Sequence, residues 1–119
     1  MKSEEKVVTF TEEQIVLYQR MLGETDKRDK LILHYTMPMI AYQWVNIPWT
    51  FKPPIIHRKQ QCVMHTPMVA NEKYRASVTL DKRYTRKDVT FSKQTLRICT
   101  LRGTPCFTGT MELVSGGQP

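Results

Sequence analysis

The sequence has no segment typical of a membrane anchor or a secretory signal. Residues 1–6 are mostly charged, and no apolar targeting region follows them. The longest strongly apolar run, residues 33–47, is shorter than the roughly 20 apolar residues that cross a bilayer. These absences exclude a helical membrane protein and predict a cytoplasmic location.

Cysteine is scarce and follows no metal-binding pattern. The chain has three cysteines, at positions 62, 99 and 106, with no Cys-x-x-Cys spacing and no Cys/His cluster. We therefore expect reduced, partly buried thiols and no metal site. The sequence also lacks the Gly-x-Ser-x-Gly, P-loop and Gly-x-Gly-x-x-Gly motifs, and it implies no resident cofactor.

The composition is that of a small globular domain with excess positive charge. The 119 residues are 40% hydrophobic and 24% charged, with a net charge of +7. This charge favours an anionic partner, such as nucleic acid, an anionic membrane face or coenzyme A, and the alternative is a solvated surface with spare lysines. The densest basic cluster, residues 82–87, is predicted at a turn between strands. The sequence has no basic and aromatic platform typical of single-strand binders, so a nucleic-acid partner is not favoured.

Hydrophobic periodicity predicts two helices followed by a sheet. Thr11-Glu12-Glu13-Gln14 forms a capping box that starts a helix over 12–22, and Ile15, Tyr18 and Leu22 share one of its faces. The uncharged segment near 36–47, with Pro38 in its first turn, is predicted to be a central buried helix. Strands are predicted over 7–10, 55–65, 72–82, 88–101 and 105–114, with a bulge between Phe91 and Leu96.

Several short motifs in this order resemble those of MaoC-like dehydratases and (R)-specific enoyl-CoA hydratases. Residues 8–15 (VTFTEEQI) are similar to the first helix of that family, and residues 31–35 (LILHY) are similar to the entry to its central helix. Residues 70–78 (ANEKYRASV) and 103–114 are similar to two of its strands. The resemblance implies an α+β fold, in which one hot-dog domain over 1–119 wraps a long antiparallel sheet around a central buried helix. Residues 1–6 and 115–119 are predicted to be flexible tails.

The catalytic motif of the family is not intact in this sequence. The resemblance implies a Gly-Asp-x-Asn-Pro-x-His segment after the first helix, but Gly23 is followed by ETDKRD and no Asn-Pro is present. Asp29 and His34 keep the spacing of the Asp/His pair that acts on water in the family, and they are the candidate catalytic residues. The alternative for His34 is a non-catalytic histidine at the helix entry, and the alternative for Asp29 is a solvated loop charge.

The other candidate site residues would contact an acyl thioester. Met37 and Trp44 are candidates to line an acyl tunnel, and the alternative is that they belong to the core. Arg83, Arg86 and Lys87 are candidates to hold the phosphates of coenzyme A. His57 and His65 are predicted to be partly buried strand histidines.

Three functions follow from the resemblance. The first is an acyl-CoA binding hot-dog protein of the hydratase/dehydratase lineage, in fatty acid metabolism, with a degenerate active site. The second is a non-catalytic companion subunit of a hetero-oligomeric MaoC-like dehydratase, and the third is an acyl-CoA thioesterase that uses Glu24, Asp26 or Asp29. In each case the expected partners are an acyl-CoA or acyl-carrier-protein thioester and a second hot-dog subunit, in a homodimer or a hetero-oligomer. The sequence leaves open whether the chain is an enzyme.

Overall fold

Helix α1 begins at the capping box that the sequence predicts. The structure, a computed structural model, describes residues 1–23 and 32–116. In it, α1 covers Glu12–Met21, the Thr11 hydroxyl accepts from the backbone N–H of Gln14, and the Gln14 side chain accepts from the backbone N–H of Thr11. Ile15 packs in the core as predicted, but Leu22 is 45% exposed and Gln19 is buried instead. The helix ends at Met21, so Leu22 leaves the helical face on which periodicity places it.

Five antiparallel strands form one sheet, and they are β1 (Lys6–Thr9), β2 (Ile55–Met64), β3 (Lys73–Arg86), β4 (Val89–Thr100) and β5 (Pro105–Gly116). Their spatial order is β1-β3-β4-β5-β2. All five predicted strands are present, and β3 is four residues longer at its C-terminal end than the predicted 72–82, because it continues into a tight hairpin with β4. Lys87 and Asp88 form that turn with positive φ angles of 52° and 67°.

The predicted bulge in β4 between Phe91 and Leu96 is wrong. Over this stretch β4 pairs with β5 without interruption, and the extra residue lies on the partner strand β3, at Asp81. The apolar parity changes along β4 because Ser92, a buried polar residue, belongs to the core face, and Phe91 lies on the opposite face. A second register shift lies in β2, between His57 and Lys59.

The central helix is shorter and tighter than the sequence predicts. It is a 3-10 helix over Met37–Gln43 rather than a helix over 36–47, with Pro38 in its first turn. Val45 and Trp49 are still buried, but they reach the core from the irregular chain that follows the helix. A helix this short is not stable alone, so packing against the sheet must hold it. None of the helices in residues 1–23 and 32–116 has the length and apolarity to span a membrane.

Tyr42 and Gly109 fix the 3-10 helix against the sheet. The Tyr42 hydroxyl donates to the Gly109 carbonyl at 2.8 Å, and burial raises the pKa of Tyr42 well above its usual value, so the hydroxyl stays protonated as a donor. A Cβ atom at Gly109 would overlap the Met39 sulfur and lie 2.8 Å from the Phe107 ring. Glycine at this position therefore permits the close approach of helix and sheet.

We predict that Gly109→Ala destabilises the protein by about 1–3 kcal/mol, because the added methyl group overpacks a filled contact. Thermal or urea unfolding measures this loss. Met39→Ala provides the control for the overpacking argument, because it removes the sulfur that the added methyl group would meet, so Gly109→Ala should cost less in that background. A Gly109→Ala protein as stable as wild type would show that the helix does not dock where Gly109 lies.

The predicted tails are partly ordered elements of the sheet. The Ser3 N–H donates to the Val78 carbonyl, the Ser3 hydroxyl accepts from the Val78 N–H, and the Met1 carbonyl accepts from Leu80. At the other end, Ser115 is buried and belongs to β5. The edge of β3 and the start of β4 therefore provide residues 1–3 and 115–116 with hydrogen-bonding partners in the sheet.

Candidate functional site

His34 is positioned by a short segment that crosses the end of the sheet. Ile32 forms an isolated bridge with Val69, and the Leu33 N–H donates to the Met68 carbonyl at 2.9 Å. Tyr74 at the start of β3 holds the partner segment, because its hydroxyl accepts from the Val69 N–H at 2.9 Å. The backbone before His34 is therefore anchored to the core through two successive contacts.

Tyr74 keeps its proton under ordinary conditions. Burial is the main cause that raises its pKa to about 12, and its hydroxyl donates to Glu72 at 2.9 Å. Tyr74 hydrogen-bonds to both Val69 and Glu72 and so stabilises the loop over residues 68–72. The backbone just before His34 hydrogen-bonds to this loop.

His34, Thr36 and Tyr18 form a polar network between α1 and the 3-10 helix. The His34 Nδ1 lies 2.8 Å from the Thr36 hydroxyl, which lies 2.7 Å from the Tyr18 hydroxyl. The Thr36 backbone N–H also donates to the His34 Nδ1, at 3.3 Å, so this nitrogen is an acceptor and the proton of a neutral ring lies on Nε2. The network therefore fixes the tautomer of a half-buried imidazole, as a general acid or base requires.

An apolar groove of about 120 Å³ lies beside this network. It runs between α1 and the 3-10 helix, and Trp44 closes one side while its ring packs against Phe10 at 5.1 Å. The lining residues are Gln14, Leu17, Tyr18, Met21, Met37, Ile40 and Trp44. Both predicted tunnel residues, Met37 and Trp44, are therefore in the groove, although Met37 is also a core residue.

The structure does not bring all predicted site residues together. Asp29 lies outside the described residues, as do Glu24 and Asp26. Arg83 is engaged elsewhere, because it donates to the Thr50 carbonyl at 2.7 Å and lies over the Phe51 ring. Arg86 and Lys87 are at the β3–β4 hairpin, separated from the His34 end of β3 by about 40 Å of strand.

The remaining histidines are not partly buried, contrary to the prediction. His57 and His65 are both exposed, since they lie on or next to the edge strand β2, which has a neighbour on one side only. The Nε2 of His65 contacts the Thr108 hydroxyl at 2.8 Å. In the described ranges, 1–23 and 32–116, no three His, Cys, Asp or Glu side chains are grouped closely enough to hold a metal ion.

Sequence reasoning missed two members of the site. It placed Tyr18 on the apolar face of the first helix and gave Thr36 no role. A tyrosine on a buried helical face needs a hydrogen-bonding partner for its hydroxyl, and this was the available signal for a polar contact. The identity of the partner depends on how the first helix packs against the segment before Met37, which no local pattern reveals.

Comparisons with known proteins find similarity in structure and none in sequence. No protein-family model matches the chain, and a search of curated proteins finds no match. A chain of the HadBC (3R-hydroxyacyl-ACP dehydratase) complex from Mycobacterium tuberculosis is similar with a TM-score of 0.80 and 15% identity, over 97% of this chain and 95% of that chain.

Two further structures show the same architecture. The MaoC-like dehydratase from Rhodospirillum rubrum has a TM-score of 0.69 and 13% identity, over 100% of this chain and 92% of that chain. A chain of the ChsH1-ChsH2 complex from Mycobacterium tuberculosis has a TM-score of 0.72 and 8% identity, over 97% of this chain and 88% of that chain. The protein has the hot-dog fold, as the sequence predicts, and the solved hot-dog structures that it resembles include MaoC-like dehydratases.

Proposed function

We propose that this chain is an acyl-thioester-binding hot-dog protein of the hydratase/dehydratase lineage with a degenerate active site. The observation that carries the proposal is the apolar groove beside the His34–Thr36–Tyr18 network. An apolar groove suits an acyl chain, and an oriented imidazole at its side suits proton transfer to a group near the thioester. The hydratase and dehydratase structures of the same fold support this interpretation.

The groove is incomplete in a single chain. Its volume of about 120 Å³ is below the roughly 300–1,000 Å³ of sites that bury a small ligand. Two of its lining residues on α1 are apolar and open to solvent, Leu17 at 59% and Met21 at 76% exposure. A second subunit that covers α1 would bury these side chains and close the groove around an acyl chain.

A companion subunit in a hetero-oligomeric dehydratase is the alternative function. Two of the similar structures are complexes of two named components, HadBC and ChsH1-ChsH2. The missing Asn-Pro element is consistent with a chain that completes a tunnel and leaves catalysis to its partner. A neighbouring gene that encodes a hot-dog protein with an intact Asp/His motif would favour this alternative. The described residues contain no feature that favours the thioesterase alternative.

A panel of acyl-CoA thioesters tests the proposed function by thermal shift. A ligand that binds only the folded protein raises its melting temperature. We expect acyl-CoAs of increasing chain length to raise it progressively, and free coenzyme A to raise it less. Ile40→Asp, which places a carboxylate on the groove wall, should abolish the dependence on chain length. Equal shifts with free and acylated coenzyme A would contradict the proposal.

We predict that the chain forms a dimer or a higher oligomer. Edge strand β2 pairs with β5 on one side only, and Ile55, Ile56 and Val63 on it are exposed. The unpaired backbone groups of an exposed edge strand promote aggregation, and specific pairing with a second chain prevents this. Light scattering should give a mass of about 28 kDa or more, from a chain of 14.0 kDa. A stable 14.0 kDa monomer at micromolar concentration would contradict this prediction.

We place the protein in the cytoplasm. The three cysteines are free thiols, and free thiols persist in reducing compartments. This location agrees with the proposed use of coenzyme A thioesters. No resident cofactor enters the proposal, because the thioester is the ligand.

A further inference from the structure

The outer face of the sheet carries a concentration of positive charge near the β3–β4 hairpin. Pairing across the strands places Lys82 opposite Lys93, Lys93 opposite Glu112 and Glu112 opposite Lys59. We call these four residues the cationic row. It lies on the face opposite to the core and to the His34 groove, because Ser92 and Leu113, which alternate with Lys93 and Glu112, are buried.

A bulge adds an arginine to this row. The register of β2 shifts between His57 and Lys59, so Arg58 is the extra residue. Bulges re-aim side chains, and here the Arg58 guanidinium lies over the Phe91 ring, 5.9 Å from its centroid. Strict alternation along β2 would direct Arg58 to the core face of the sheet. The bulge instead places it on the outer face, beside the cationic row.

Two aromatic rings hold the cations in place. Tyr84 and Phe91 are cross-strand neighbours that stack with centroids 5.1 Å apart and an angle of 15°. The Lys82 ammonium lies 5.4 Å from the centroid of the Tyr84 ring. Arg58 contacts the other ring of the stack, that of Phe91. The attraction between a cation and an aromatic ring restrains both charged groups before any ligand arrives.

One cross-strand pair in this row is unfavourable for stability, although Glu112 lies opposite both Lys93 and Lys59 and compensates part of the charge. Like charges directly opposite each other on adjacent strands destabilise a sheet, and Lys82 and Lys93 are such a pair. Arg58, Lys82, Lys93 and Glu112 line one hollow on this face of the sheet. In this hollow the single carboxylate of Glu112 faces three cations. An anion bound there would remove the repulsion that the protein alone leaves in place.

We propose that this hollow binds a phosphoryl or pyrophosphoryl group, held by Arg58, Lys82 and Lys93. Its volume of about 210 Å³ is smaller than that of a typical whole-ligand site, so it accommodates a phosphate-sized part of a ligand whose remainder lies in solvent. Arginine provides paired N–H donors and lysine a point charge, which suit phosphate oxygens. The group belongs either to a free inorganic anion or to a nucleotide. The proposal is independent of the acyl-thioester function, because the two sites lie on opposite faces of the sheet.

The arrangement offers an anionic ligand a site that the sequence does not predict. The phosphate candidates Arg83, Arg86 and Lys87 follow from the density of charge along the chain, whereas the cationic row takes its residues from four strands. Basic and aromatic residues do not combine in a local motif of the sequence, but the fold brings Arg58, Lys82, Tyr84 and Phe91 together from separate strands. The Tyr84 and Phe91 rings already stack on each other and contact Lys82 and Arg58, and this favours phosphate recognition over stacking of a base.

Calorimetric titration of the full chain with pyrophosphate and with ADP tests the proposal. We expect Lys93→Gln and Arg58→Gln each to weaken pyrophosphate binding roughly tenfold, about 1.4 kcal/mol at 25 °C. Lys73→Gln is the matched control, because it removes the same charge from an exposed position at the far end of β3 and should leave binding unchanged. ADP binding tighter than pyrophosphate binding would identify a nucleotide as the source, and equal or weaker binding would identify the free anion.

A second measurement separates a ligand site from a structural role. Lys93→Gln should weaken binding without lowering the melting temperature of the unliganded protein, because the repulsion from Lys82 that it removes offsets the lost attraction to Glu112. Glu112→Gln should tighten binding. The proposal is wrong if neither ligand binds at millimolar concentration, if Lys93→Gln and Lys73→Gln weaken binding equally, or if only changes at Arg86 and Lys87 weaken it.

Discussion

Replacing Trp49 by alanine is expected to lower the free energy of unfolding by about 3–5 kcal/mol, the loss typical of a large buried aromatic side chain. Trp49 is only 4% exposed, and its indole N–H donates to the buried Gln94 side chain at 3.0 Å. The substitution leaves both a cavity and an unpaired amide oxygen, which adds to the loss. Urea unfolding followed by circular dichroism measures it.

Trp44→Ala is the matched control for this prediction. Trp44 is only half-buried at the groove, so the same chemical change should cost clearly less than at Trp49. Equal losses at the two positions would show that Trp44 is a core residue and that the groove is not an open feature of the folded chain.

The chain alone is expected to hydrate crotonyl-CoA and longer enoyl-CoAs at least about 100-fold more slowly than hydratases with an intact motif. Catalysis by an Asp/His pair depends on close positioning, and displacement of a reacting group by about 1 Å can cost 100-fold. Here the Asn-Pro element is missing and the segment before the central helix is short. A spectrophotometric assay of enoyl-CoA consumption measures the rate.

If turnover is nevertheless seen, Asp29→Asn and His34→Ala should each abolish it. Thr36→Val is an informative third variant, because it removes the hydroxyl that contacts the His34 Nδ1 and leaves the imidazole in place. It should reduce turnover without abolishing it if Thr36 positions the ring. Robust turnover that survives both Asp29→Asn and His34→Ala would place the chemistry elsewhere.

Local patterns predicted most of the fold. The capping box at Thr11 and the alternation along β3 are short-range signals, and the structure has the corresponding helix and strand. The central helix was predicted too long because Trp44, Val45 and Ile47 are apolar in any conformation, and Val45 is buried without being helical. Hydrophobicity indicates burial, but it does not by itself indicate secondary structure.

The sequence names some of the residues at the candidate site, and their roles stay predictions. Met37 and Trp44 were candidates because they lie on the segment that enters the core, and His34 because of a family resemblance. Tyr18 was missed as a polar contact because its partner Thr36 is 18 residues away. The cationic row was missed for a related reason, since its members come from four strands and only the pairing register brings them together.

The most direct test of the central claim is a fluorescence titration with octanoyl-CoA. Trp44 lines the groove and Trp49 is buried, so only Trp44 reports on an occupant of the groove. We expect octanoyl-CoA to change the tryptophan emission of the wild-type protein in a saturable manner, free coenzyme A to change it much less, and Trp44→Phe to abolish the response. No saturable change with octanoyl-CoA, or an unaltered response in Trp44→Phe, would contradict the claim that this groove binds an acyl thioester.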